Sequence, residues 1–321
     1  MSRPGRTGRD RRSGLPTLAM FYPRAAQPPS AVARHYGEMD VFYRELWGEH
    51  VHHGLWRTGR ESPDAAVVAL ADHVVDRARV AAGMSVVDIG CGYGGTARLM
   101  AARGATVTGV TITPEQAAYA RRRDVAGTSP HYVVADWMHS GLADRRFDAA
   151  IAIESTEHMS DKARCFAEAA RVLRPGGRLV VCAWLGRTEA RGWERRWLLE
   201  PICTEGRLPG MGDERDYRAL ITDAGFVLEQ AEDVSEHVRR TWPLCIGRTA
   251  RALVRDPRYR RAITDPTFAD RVFALTMFRI WAAYGTGAMR YVIFTARLPD
   301  DAEPAAAASG ERDEHRPAHA G

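Results

Sequence analysis

The 321-residue chain is 45% hydrophobic and 26% charged, an ordinary globular composition with enough length for one large core or two small ones. Its net charge is only +5 and Lys162 is its single Lys among many Arg; this modest charge does not mark a nucleic-acid binder, and no run reaches the roughly 18 apolar residues of a membrane span. The five cysteines, Cys91, Cys165, Cys182, Cys203 and Cys245, are scattered without C-x-x-C spacing. They read as reduced core thiols of a cytoplasmic protein.

Residues 1–30 are rich in Arg, Gly, Pro and Ser and read as a disordered basic tail. No apolar run follows Arg11-Arg12, so the pair is no export signal. From Ser30 the residues Val32, Tyr36, Met39, Phe42, Tyr43, Leu46 and Trp47 recur near a helical period. They open a helical segment over 31–82, with a further helix through Ala65–Val80. Between them lies His50-Val51-His52-His53-Gly54. Its spacing, with no Cys and no H-E-x-x-H, makes a poor metal site, and no metal is expected.

Residues 83–299 alternate strand and helix patterns. Strands are expected at Ser85–Ile89, Thr106–Thr111, His131–Ala135, Phe147–Ile153, Arg178–Trp184, Phe226–Val234 and Met289–Arg297. Helices are expected at Thr96–Arg103, from Pro114 with Thr113 as N-cap, at Asp161–Leu173 and at Asp213–Ala224. The pattern predicts an α/β fold with a Rossmann-like doubly wound sheet. Two insertions interrupt it, at 185–212 and 235–287. The second reads as helical, broken by Pro243, Pro257 and Pro266. Both follow strand ends on the ligand side, which suits a lid over a substrate or a surface for homo-oligomer formation. Residues 300–321 read as an acidic disordered tail.

The most informative stretch is Val86-Val87-Asp88-Ile89-Gly90-Cys91-Gly92-Tyr93-Gly94-Gly95. A buried strand ends in a carboxylate and then a glycine turn, where a ligand can approach the backbone. Gly90, Gly92 and Gly95 fit the dinucleotide pattern G-x-G-x-x-G, which expects an acid about 20 residues on. That region is Gly109-Val110-Thr111-Ile112-Thr113, without an acid. Asp-x-Gly-x-Gly is instead the form seen in S-adenosylmethionine methyltransferases.

With that turn, further motifs make the chain resemble the tocopherol methyltransferase-like group of class I S-adenosylmethionine methyltransferases. More distantly it resembles sterol C-methyltransferases and cyclopropane fatty acid synthases. The motifs are His35-Tyr36, Leu46-Trp47-Gly48-Glu49-His50-Val51-His52-His53-Gly54, Asp136-Trp137, Glu154-Ser155-Thr156-Glu157-His158-Met159 and Leu173-Arg174-Pro175-Gly176-Gly177. The resemblance covers roughly residues 33 to 298 and implies class I methyltransferase topology with S-adenosylmethionine as cofactor. It implies that Gly90 and Gly92 admit the amino-acid part of the cofactor and that Asp88 organises contacts beneath it. Thr111, Ile112 and Gln116 would surround the ribose, and Asp136 would bind the adenine amine with Trp137 beside it. Tyr36, Glu154 and the His53-Gly54 turn would complete the cofactor site.

Methyl transfer requires an in-line nucleophile, exclusion of water and removal of a proton. His158, with Glu157 beside it, is the expected acid–base centre; the place after strand five holds Ala183 and Trp184, not an acid. The aromatic residues Trp193, Trp197, Trp242, Phe273, Phe278, Trp281 and Tyr284 of the inserted segments suit a hydrophobic or aromatic small-molecule acceptor. The reaction reads as O-methylation of a phenol, with C-methylation of a prenyl, terpenoid or indole-type acceptor, or N-methylation, as the alternatives. The Asn-Pro-Pro-Tyr motif of base amino-methylation is missing after strand four.

Overall fold

The computed structural model describes residues 20–21, 23, 27–125, 130–265 and 272–301. The expected tails at 1–30 and 300–321 therefore lie mostly outside the described residues, as does Pro266. Seven strands form one sheet in the order β3-β2-β1-β4-β5-β7-β6. They are β1 Ser85–Ile89, β2 Thr106–Thr111, β3 His131–Val134, β4 Phe147–Ile153, β5 Leu173–Gly186, β6 Val227–Asp233 and β7 Met289–Arg297. The five strands β1 to β5 are parallel, and β7 runs antiparallel to β5 and β6.

Central parallel strands are covered on both faces, so they read as continuous apolar runs. Successive side chains then enter opposite cores. Val86, Ile151, Val180 and Cys182 join one core with Leu70, Val74 and Met100. Val87, Ile89, Ala150, Leu179 and Val181 join the other with Phe166 and Tyr217. The helices α1 Pro29–Glu38, α2 Asp40–Leu46, α3 Pro63–Arg77, α4 Gly95–Ala102, α5 Pro114–Arg123 and α6 Lys162–Val172 precede β5. Side-chain caps fix two of their starts: Ser62 Oγ accepts from Ala65 N and Asp161 Oδ1 from Arg164 N. Thr113 occupies the N-cap of α5 but makes no side-chain cap bond.

The segments after β5 are α7 Gly192–Glu194, a π-helical stretch Arg195–Leu199, α8 Glu200–Glu205 and α9 Glu214–Asp223. After β6 come α10 Ser235–Val238, α11 Thr241–Arg255, α12 Pro257–Thr264 and α13 Phe273–Thr286. Four differences from the sequence reading have physical causes. The helical pattern beginning at Ser30 breaks into α1 and α2 at Met39. Strand β5 begins at Leu173, which pairs with Phe147 across a register shift, so Arg174–Gly177 lies within the strand. Pro243 does not interrupt a helix; it is the third residue of α11, where a missing N–H costs no helical bond.

The fourth difference is at Phe21, inside the expected tail. Its ring is buried, its backbone exchanges two 2.8 Å hydrogen bonds with Met211, and the Arg195 guanidinium lies 4.8 Å from the ring centroid. Gly186 makes the room: a Cβ there would stand 2.5 Å from the Phe21 ring. No helix among the described residues is long and apolar enough to cross a membrane.

Candidate active site

The carboxyl ends of β1 to β4 meet at one cleft. Gly90 N and Cys91 N both donate to Val110 O, at 2.8 and 2.9 Å, which folds the turn after β1 onto β2. Gly90 has φ +75°, and a Cβ there would come within 2.3 Å of Ser155 Cβ. Ser155 Oγ in turn donates to Ile89 O at 2.6 Å, tying the end of β4 to that of β1. Gly92, at φ +51°, has no atom within 4 Å of its Cβ position, so its open side is cleft. Asp88 lies beneath the turn. Burial pushes its carboxyl up to about 7, and its Oδ2 has no hydrogen-bond partner.

The cleft has a volume of about 800 Å³ and is lined by Thr111, Ile112, Gln116, Asp136, Trp137 and residues of the β4 end. Thr111 Oγ1 donates to Gln116 Oε1 at 2.8 Å and accepts from Thr113 N at 3.2 Å. That leaves the Gln116 amide NH₂ as a donor where a dinucleotide fold would place an acid. Asp136 Oδ1 accepts from Met138 N, and Trp137 Nε1 donates to Cys165 O at 3.1 Å, which anchors both at the rim. An unpartnered buried carboxylate, a glycine open to the cleft and an acid at the third strand fit a ligand carrying an ammonium group and an adenosine.

A second chamber, about 580 Å³, adjoins the cleft and shares Tyr36, Val51, Glu154 and His158 with it. Its walls include Tyr43, Trp47, Trp184 and Trp242. Glu154 stands on the wall between cleft and chamber. Oε1 accepts from His53 N at 2.7 Å, His53 Nδ1 at 2.9 Å and Tyr291 Oη at 2.8 Å. Oε2 accepts from Trp184 Nε1 at 2.8 Å. Burial opposes ionisation, but the His53 ring and the backbone N–H outweigh it and hold the carboxyl below its usual range. Glu154 also has φ +51°, a strained geometry for a residue with a side chain, costing on the order of 1–3 kcal/mol. The four accepted hydrogen bonds over-determine it. Trp242 Nε1 donates to His53 Nε2 at 2.8 Å. Indole N–H can only donate, so the His53 proton sits on Nδ1 and points at Glu154.

Residues 87–181 match the methyltransferase domain family. Tocopherol O-methyltransferase of Arabidopsis thaliana is 31% identical over 84% of this chain and 82% of its own length. The 27-O-demethylrifamycin SV methyltransferase of Amycolatopsis mediterranei is 32% identical over 85% of this chain and 98% of its own. The chain belongs to the tocopherol methyltransferase-like S-adenosylmethionine-dependent methyltransferases. Among solved structures, the [4+2]-cyclase SpnF is 26% identical, with a TM-score of 0.70 over 90% of this chain and all of that one.

The methyltransferase uses S-adenosylmethionine, and the expected cofactor residues do not all fall in one place. Gly90, Gly92, Thr111, Ile112, Gln116, Asp136 and Trp137 line the cleft, and Asp88 lines a smaller cavity adjoining it. Tyr36 and Glu154 stand on the wall shared by cleft and chamber. His53 lines the chamber instead of the cleft. Gly54 lines neither the cleft nor the chamber: its N–H donates to Thr241 Oγ1 at 3.1 Å and a Cβ would stand 2.7 Å from Trp56. It is a packing glycine that lets the arm turn past α3.

His158 and Glu157 separate in the same way. His158 Nε2 is 3.0 Å from Tyr36 Oη on the shared wall. Burial pulls its pKa down to about 3, with His35 adding to the effect. Glu157 lines neither cavity. Its Oε1 accepts from Trp184 N at 2.6 Å, and burial keeps its carboxyl above the usual range. Lys162 Nζ donates to Glu157 O and Met159 O, so Glu157 and Lys162 hold the turn that carries His158.

Of the aromatics expected to face the acceptor, Trp242 lines the chamber and Tyr284 packs its ring 5.6 Å from His53. Trp193, Trp197, Phe278 and Trp281 are instead exposed on the outer surface, and the Phe273 side chain lies outside the described residues. Sequence reading missed Trp184, Tyr291 and His50. Trp184 carried a signal, an aromatic at the end of β5 where an acid was sought. Among the described residues no group of three or more His, Cys, Asp or Glu is arranged to hold a metal ion.

Proposed function

We propose that this methyltransferase methylates a hydroxyl of a hydrophobic, aromatic small molecule seated in the second chamber, with a phenolic hydroxyl the best fit. The observation that carries this reading is the shared wall. Tyr36 and His158, a hydrogen-bonded hydroxyl and imidazole, border the cofactor cleft on one side and the aromatic chamber on the other. S-adenosylmethionine supplies the methyl group when bound. The chain's own contribution is to orient the acceptor against Trp47, Trp184 and Trp242, to exclude water, and to receive one proton. An acceptor hydroxyl becomes strongly acidic as its oxygen gains the methyl group, so a weak base suffices late in the transfer. The proton is relayed: Tyr36 Oη takes it from the acceptor as the Tyr36 proton passes to His158 Nε2, 3.0 Å away, whose lone pair that hydroxyl occupies; Glu157 positions the turn and does not touch the acceptor.

C-methylation is the second reading, favoured by one observation: the ionised Glu154 is fixed inside an aromatic chamber, an arrangement that stabilises a developing cation. The activities for which the Arabidopsis and Amycolatopsis relatives are named, on tocopherol and on 27-O-demethylrifamycin SV, support oxygen as the target. The test is incubation of the purified protein with labelled S-adenosylmethionine and a panel of phenols, aliphatic alcohols, prenylated aromatics and amines. NMR of the product then assigns the methylated atom. Methyl on carbon or nitrogen alone, across acceptors that also offer a hydroxyl, refutes the proposal.

A further inference from the structure

Beside the glycine turn lies a third cavity of about 340 Å³, which adjoins the cofactor cleft and shares Val51, Gly90, Gly92 and Ile153 with it. Its lining includes Asp88, whose buried Oδ2 has no partner, and no Lys or Arg among the described residues. The remaining carboxylate on its wall, Glu49, is occupied by Arg98 at 2.7 Å and Arg123 at 2.5 Å. The unpartnered acceptor on its wall is therefore Asp88.

The imidazole of His50 forms one wall. Its proton position follows from its neighbours. His52 Nδ1 lies 2.8 Å from His53 O, and a carbonyl only accepts, so His52 Nδ1 carries its proton. Burial lowers the pKa of His52 and takes that of His50 down to about 3, so both rings are neutral. His52 Nε2 is then an acceptor, and His50 Nδ1, 3.2 Å away, must donate to it. The chain of donors ends with an unprotonated nitrogen, His50 Nε2. The ring is held in place from the other side by Gly95, whose Cβ position is 2.8 Å from it.

We propose that His50 is a cofactor-positioning residue: its Nε2 and the Asp88 carboxylate together take the α-ammonium of the methionine portion of S-adenosylmethionine. The proposal rests on the cofactor assignment and adds a residue to it. It also explains why three histidines cluster in the arm: His50 is oriented by His52, which is oriented by the His53 backbone, and the His53 ring holds Glu154 in the acceptor chamber.

The test compares two probes on the full chain by calorimetry: S-adenosylhomocysteine, which keeps the ammonium, and 5′-methylthioadenosine, which lacks the amino-acid portion. His50→Ala is expected to weaken S-adenosylhomocysteine by about tenfold or more, the worth of a hydrogen bond to a charged group, with methylthioadenosine within about twofold. His50→Gln, which keeps an acceptor, is expected to recover most of the loss. Equal losses for both probes, or no loss for the first, overturn the proposal. Should His50→Ala fail to fold, NMR of the wild type with nitrogen-labelled histidine decides. The His50 Nε2 resonance should move with S-adenosylhomocysteine and not with methylthioadenosine, and no movement overturns it. Failure of the wild type to bind S-adenosylhomocysteine at all would instead remove the cofactor assignment itself.

Discussion

Cofactor binding should release a proton from Asp88, and the effect is large enough to measure. In the empty site, burial raises this carboxyl from 3.8 to about 7. Keeping it ionised in the empty fold thus costs on the order of 4 kcal/mol relative to the unfolded chain. A ligand ammonium beside the carboxylate favours the ionised form and lowers its pKa in the complex. The sign follows: below pH 7 the free enzyme is protonated and the ligand must displace that proton, so affinity falls as pH falls. At pH 6 about one site in ten is ionised and at pH 8 about nine in ten, so affinity drops about tenfold between them, or about 1.4 kcal/mol. Calorimetry with S-adenosylhomocysteine at both pH values, in buffers of different ionisation enthalpy, reads affinity and proton release together. Close to one proton should leave at pH 6 and close to none at pH 8. The variant Asp88→Asn should bind weakly and without this slope. A wild-type affinity that is flat from pH 6 to 8, or a slope that survives in Asp88→Asn, refutes the reasoning.

Three further outcomes are expected. Gly92→Leu should abolish S-adenosylhomocysteine binding in calorimetry, because its side chain enters the open cleft, while the strain of φ +51° lowers stability by only about 1–2 kcal/mol. Phe21→Ala should cost about 3 kcal/mol and lower the melting temperature by several degrees, since that buried ring is docked on Gly186 under Arg195; an unchanged melting temperature would show that the ring does not dock. Trp242→Ala should raise the acceptor KM or change acceptor choice, with Trp281→Ala within about twofold of wild type as expected for an exposed surface site; the reverse order in steady-state kinetics would invert the assignment of the chamber.

What could be read from the sequence depended on whether the signal was local. The bounds of β1, β2, β4 and β7 were legible because these buried strands, β7 antiparallel among them, are short runs of apolar and β-branched residues. Gly90 and Gly92 were legible because a turn with positive φ selects glycine. The Glu154–His53 pair was not, since its members are 101 residues apart and nothing local marks Glu154 as a residue with positive φ. The inserted aromatics misled for a different reason. On α13 the face with Met277, Ile280 and Tyr284 is buried and the face with Leu275, Phe278 and Trp281 is exposed. Both faces are apolar, so a 3.6-residue period cannot tell which looks inward. Phe21 was hidden by the Pro- and Arg-rich residues around it, which carry the composition of a disordered segment.

The burial of His158 changes what its kinetics should look like. An exposed histidine titrates near 6.5, and as the general base it would give an acidic limb in the pH–rate profile there. On the shared wall its pKa is pulled down to about 3, so it stays neutral through the working range and its protonation should leave no limb between pH 5 and 8. Burial pushes the Asp88 carboxyl up to about 7, and its protonation acts through cofactor affinity, so kcat must be taken at saturating S-adenosylmethionine to keep that effect out. Under those conditions His158→Ala should lower kcat by about 10², the ordinary worth of a general base, with S-adenosylhomocysteine affinity nearly kept. The profile should keep its shape. Tyr36→Phe, which removes the hydroxyl 3.0 Å from Nε2 that relays the proton, should lower kcat about as far as His158→Ala. A limb near 6.5 in the wild type that vanishes in His158→Ala would show that water reaches the imidazole. An unchanged kcat in that variant would take the proton transfer away from His158 altogether.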